Sequence, residues 1–108
     1  MKKYLLIDSQ GEFEAADARE FLDVLRSLKA SGAQVEMFLV QNGVMPARAG
    51  ARAPCLADAI GAGIPVMADE FSMRERALGP HALVGGVSAA PIGEVIKRMA
   101  DGWTVIWR

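Results

Sequence analysis

Three largely apolar runs, broken only by Glu36 in the second, constrain this chain more than any other feature. Tyr4 to Ile7 ends at Asp8, Val35 to Val40 ends at Gln41-Asn42-Gly43, and Ile64 to Ala68 ends at Asp69. Runs without polar alternation suit strands buried on both faces, the kind found in parallel sheets covered by helices. Between the first two, Ala18, Phe21, Leu22, Leu25 and Leu28 recur at three and four residues, with Arg19, Glu20, Arg26 and Lys29 opposite. That spacing predicts a helix from about Ala15 to Ser31, stopped by Gly32.

The remaining elements follow the same alternation. Met45 to Pro54 has no hydrophobic period and reads as a mobile loop, and Pro54 to Ala62 as a short helix with proline in its first turn. Ser72-Met73-Arg74-Glu75 matches a capping box, predicting a helix that starts at Ser72 and runs to Leu78. Leu83-Val84 before Gly85-Gly86 reads as a short fourth strand. Ser88 to Ala100 reads as a last helix with Ile92, Val95, Ile96 and Met99 as its buried stripe. Trp103 to Trp107 is the final strand, with Trp103, Val105 and Trp107 on one face, read as core or subunit interface. The sum is a three-layer α/β/α sandwich on a five-stranded parallel sheet, one domain spanning residues 1–108.

Composition narrows the partners. A formal net charge of −1 offers no electrostatic footprint for nucleic acid. No uncharged run reaches the ~18 residues of a membrane span, and MKKYLLID is too short in its apolar part for a signal peptide. The expectation is a soluble, unprocessed protein without a membrane partner. A single cysteine points to a reduced, cytoplasmic setting and cannot make an internal disulfide or, alone, a zinc site. An apolar fraction of 52% is high for 108 residues and points to a subunit interface. Neither a glycine-rich phosphate loop nor a metal-ligand cluster is present, so no cofactor or metal is expected.

The stretch Ile64 to Leu78, IPVMADEFSMRERAL, holds the best candidate site, because ligands of parallel sheets collect outside the carboxyl ends of strands. Asp69 and Glu70 could act as a general base or hold a cation; their plainer roles are a turn residue and a solvated carboxylate. Ser72 reads first as a helix cap. Arg74 and Arg76, with His81 nearby, could bind an anion or pair with Glu70 and Glu75 at the surface. Asp8, Ser9, Asn42 and Gly43 follow the first two strands and could line the same crevice. Cys55 opens the second helix, where the helix dipole and Arg52 could lower its thiol pKa; its plainer role is a small buried hydrophobe.

From YLLIDS through VEMFLVQNGV and PVMADEFSMRERAL to LVGGV and the closing strand, the chain resembles the DsrE/DsrF-like family, including the YchN-like proteins. The resemblance implies a small α/β domain related to bacterial sulfur relay, assembled as a trimer or hexamer, with other relay proteins as partners. Sulfur-transferring members hold a cysteine after the third strand, sometimes as Cys-x-x-Cys, with an Arg-Gly pair beyond. Aligned on Pro65-Val66 and Arg76, those cysteines fall on Asp69 and Ser72, and Ala77 replaces the glycine. A carboxylate cannot accept sulfane sulfur, since that step needs a thiolate.

Three functional readings stand on these residues. The first is a non-catalytic or small-ligand-binding subunit of a sulfur-related system, using Asp8, Ser9, Asn42, Gly43, Glu70, Ser72 and Arg76 as the ligand-facing set. The second is a small enzyme using Asp69/Glu70 with Arg76 or His81 for acid–base chemistry on an anionic metabolite. The third carries sulfur through Cys55.

Overall fold

A computed structural model describes all 108 residues. Five strands, β1 (Lys3–Asp8), β2 (Gln34–Leu39), β3 (Val66–Asp69), β4 (Val87–Ala90) and β5 (Thr104–Trp107), form one sheet in the order β4-β3-β2-β1-β5. Every pairing is parallel, with Leu5 opposite Glu36 and Val105, and Met67 opposite Phe38 and Ser88. The helices are α1 (Ala18–Ala30), α2 (Pro54–Gly61), α3 (Glu70–Glu75) and α4 (Gly93–Ala100), with 3-10 turns at Gln41–Ala47 and Pro80–Ala82. The expected α/β architecture with a five-stranded parallel sheet is therefore present.

Alternation along the buried strands separates two cores. Leu6, Val35, Met37, Leu39, Val66 and Ala68 point to one face, where Leu22 and Leu25 of α1, Leu56 and Ala59 of α2, and Met73 of α3 close over them. Leu5, Ile7, Phe38, Val40, Met67 and Ala90 point to the other, where Val95 of α4 packs with Trp103 and Val105. The first three strands step in one direction, so right-handed crossovers place α1 and α2 together. The long return from β4 to β5 puts α4 alone on the opposite face. Pro65 is tolerated beside β3 because only its carbonyl is used, accepting from the Met37 amide at 2.9 Å.

A part-buried ion pair anchors α4. Glu36 is a carboxylate on the inner face of β2, and Arg98 donates to it through Nε at 2.8 Å while Nη1 reaches Glu94 at 3.0 Å. Burial works against the Arg98 charge, but the hydrogen bonds to Glu94 and Glu36 outweigh it and raise its pKa above the ordinary value. The same guanidinium lies 5.6 Å from the centre of the Trp103 ring.

Several expectations are corrected. The fourth strand is Val87–Ala90, not Leu83-Val84, so Ser88 to Ala90 are strand and α4 begins only at Gly93. Those small residues carry no strand signature of their own, and pairing with β3 decides their conformation. Leu83 instead forms an isolated antiparallel bridge with Arg48. The supposed loop after Met45 begins as the end of a 3-10 turn, with Pro46 and Ala47 buried. In the stripe expected to be buried on α4, only Val95 is; Ile92, Ile96 and Met99 are 49%, 63% and 58% exposed, and Trp107 is exposed as well. A helix lying alone on a sheet can bury only one narrow side.

Urea unfolding should separate the two stripes. Phe38→Ala, which empties a fully buried position, is expected to lose about 3–5 kcal/mol, whereas Ile96→Ala should stay within about 0.5 kcal/mol. Equal losses would contradict the assignment of the Ile96 side to the surface.

Candidate functional site

The carboxyl end of β3 is closed by a helix cap made from Asp69. Its Oδ2 accepts from the Ser72 amide at 3.0 Å and from the Ser72 hydroxyl at 2.7 Å. The cap of α3 is thus Asp69 rather than Ser72, which sits one turn in, with Glu75 taking no part in a capping box. Asp69 satisfies the Ser72 amide of a helix that begins earlier than a Ser72 cap would place it, where the bonded amide would have been that of Glu75. Ser72 Oγ in turn accepts from the Gln41 amide at 2.8 Å, tying the exit of β2 to the start of α3. Gln41 reaches that position with φ of 51°, in the left-handed region.

Arg76 completes the corner. Its Nε donates to Asn42 Oδ1 at 3.1 Å and its Nη1 to the Ser72 carbonyl at 3.2 Å. Ala77, in the place where the resemblance expects glycine, has φ of 55°, a conformation glycine adopts without strain. The structure therefore brings together Asp69, Ser72, Asn42 and Arg76. It does not bring in Glu70, which is half-buried on the first turn of α3, or His81, which is exposed on the Pro80–Ala82 turn; neither makes a side-chain hydrogen bond or ion pair. Chemically, the corner is a set of satisfied donors and acceptors around a carboxylate already committed on one oxygen.

Asp8, Ser9 and Gly43 join a second cluster. Asp8 Oδ1 accepts from the Gln10 and Gly11 amides at 3.2 and 3.1 Å, folding the loop after β1. Gly43 lies so close to the Asp8 carbonyl that a Cβ would sit 2.1 Å from it, which excludes any side chain there. Ser9 donates through both amide and hydroxyl to the Arg108 carbonyl, at 2.7 and 2.8 Å. The Arg108 guanidinium lies 4.7 Å from the centre of the Phe21 ring, 2.6 Å from Asp17 and 4.0 Å from Asp8. Nothing in the sequence singled out Arg108 or Gln41, because both roles depend on strand order and on a turn conformation.

Cys55 borders this second cluster, in a cavity of about 40 Å³ also lined by Asp8, Gly11, Glu12, Phe21 and Arg108. That space accommodates about one water molecule. Glu12 reaches the start of α2, where its carboxylate accepts from the Cys55 amide at 3.1 Å and the Leu56 amide at 2.9 Å. The anion-binding end of the helix is filled by the chain's own side chain. The expected lowering of the thiol pKa is reversed: burial pushes Cys55 up, the Glu12 charge adds to it, and Arg19 opposes only in part. Arg52 plays no part in that balance.

A raised thiol pKa gives a signed expectation. The protonated thiol should persist in the folded chain at pH values where an unfolded cysteine ionises, so its contribution to stability is present below the unfolded pKa and lost as pH rises through the folded one. Iodoacetamide should therefore modify Cys55 more slowly in the folded chain than in urea at pH 8, and Glu12→Gln should speed modification. A folded-state rate above the unfolded one would contradict this placement.

Comparisons with known proteins follow the fold. The MTH1491 protein from Methanobacterium thermoautotrophicum, described as of unknown function, superposes with a TM-score of 0.85 at 17% identity over 100% of both chains. The YchN protein from E. coli superposes with a TM-score of 0.85 at 15% identity, again over 100% of both chains. At such identities the likeness speaks for the fold alone. No curated protein matches the chain. No helix is long and apolar enough to cross a membrane. The DsrE/DsrF-like family model, however, matches residues 2–107, and the chain belongs to that family.

Proposed function

We propose that this protein is a homo-oligomeric subunit of a sulfur-relay or sulfur-metabolism system that binds a partner or small ligand without itself carrying sulfur. The observation behind this reading is Asp69. It stands where sulfur-transferring relatives are expected to hold a thiol, and its carboxylate is occupied in capping α3. Cys55 is no substitute, because its pKa is raised and a carboxylate sits beside it, both of which reduce the thiolate that would attack a donor. A trimer or hexamer in the cytoplasm is part of the same proposal. The exposed apolar side chains Ile92, Ile96 and Met99 on α4 and Trp107 on β5 support association, since apolar patches of this kind commonly mark interfaces.

Mass spectrometry after incubation with a persulfide donor at pH 7.5 tests the central part. The expected result is no stable sulfur adduct on the wild-type chain. A persulfide on Cys55, lost in Cys55→Ser together with transfer to an acceptor thiol, would refute the reading. Light scattering tests the assembly: the expected mass is three or six times 11.5 kDa, and a monomer at micromolar concentration would remove the oligomer.

A further inference from the structure

A groove of about 320 Å³ opens between the segment after Ala47 and helix α2; it shares only Pro46 and Leu56 with the Cys55 cavity and no residue with the Asp69 corner. Its rim carries Arg48 and Arg52, and its apolar surface is formed by Pro46, Leu56, Ile60 and Val84. The only charged groups lining it are the two guanidiniums; no carboxylate contributes. Arg52 makes no ion pair or side-chain hydrogen bond, and Arg48 uses only Nε, donating to the Met45 carbonyl at 3.0 Å. Two exposed cations thus flank an apolar concavity with most of their donors unspent.

The walls of this groove are held by the fold. Arg48 bridges Leu83, the Val84 amide donates to the Ala47 carbonyl at 2.8 Å, and the Ala51 amide to the Arg48 carbonyl at 3.0 Å. Ile60 packs directly on the turn at Gly86, where φ is 95° and a Cβ would approach Ile60 Cγ2 to 2.5 Å, so the turn backbone holds that side chain in place. A shape already fixed by such bonds costs little ordering when a ligand enters. The volume lies at the small end of the ~300–1,000 Å³ range of ligand pockets.

We propose that this groove binds a small organic anion, a carboxylate with a short apolar body. Guanidinium groups present paired donors that match a carboxylate, and unpaired cations flanking the groove favour an anion over a neutral molecule. Leu56, Ile60 and Val84 receive the apolar body, which bare inorganic anions lack. This assignment uses none of the residues of the Asp69 corner and stands or falls independently of the sulfur-relay reading.

Amide NMR titration of the full chain with octanoate, octanol and acetate tests it. Octanoate should give saturable shifts at Ala51, Ala53, Ala57, Ile60 and Val84, with octanol and acetate at least about tenfold weaker. The Arg48→Gln/Arg52→Gln double variant should weaken octanoate by about tenfold or more while leaving distant amides in place. Arg52→Gln alone, which breaks no bond in the fold, should weaken it several-fold. Octanol binding as well as octanoate, shifts centred on Ile92, Ile96 and Met99, or unchanged affinity in both variants would each overturn the proposal. So would the absence of any shift up to about 10 mM octanoate.

Discussion

One carboxylate oxygen, Oδ2 of Asp69, fixes the geometry at the carboxyl end of β3. It holds the Ser72 amide and hydroxyl, and through that hydroxyl the Gln41 amide. Three chain segments, the end of β3, the start of α3 and the turn after β2, are locked by three hydrogen bonds in series. Asp69 and Ser72 are both buried, so deleting the carboxylate would leave two donors without partners, which is costly where water cannot replace it. The left-handed Gln41 is maintained by the same chain of bonds.

The sheet's two faces differ in how completely they are covered, and this explains where polar and apolar groups end up. Against the face shared by α1, α2 and α3, apolar contacts suffice. Against the other, the eight-residue α4 is held by Val95 and by the Glu36–Arg98 pair, with Trp103 beneath the guanidinium. Directing Glu94 and Arg98 inward turns Ile92, Ile96 and Met99 outward. The apolar excess evident in composition is thus carried partly by this outer stripe, where it can serve association rather than folding.

Elements with strong local periodicity were legible in the sequence. The runs at Tyr4, Val35 and Ile64 became β1, β2 and β3, and the helix expected over residues 15–31 became α1, shortened at its start. The fourth strand was not legible, because Ser88-Ala89-Ala90 has helix-compatible composition and becomes a strand only by pairing with Val66–Asp69. Asp69 and Ser72 read in sequence as a strand end and a helix cap, yet Asp69 supplies the capping oxygen, because the side chain of either can do so. Glu12 lay beyond reach: its carboxylate bonds amides 43 and 44 residues away, a contact no local pattern encodes. The reversal of the Cys55 shift was hidden as well, since it comes first from burial and then from Glu12, and neither is encoded locally.

Hydrogen exchange at the Ser72 and Gln41 amides measures the Asp69 linkage directly. Both amides should be protected in the wild-type chain, protection should survive in large part in Asp69→Asn, which retains a capping oxygen, and both should lose it together in Asp69→Ala. Free exchange at Ser72 in the wild type, or protection at Gln41 unaffected by Asp69→Ala, would contradict the account.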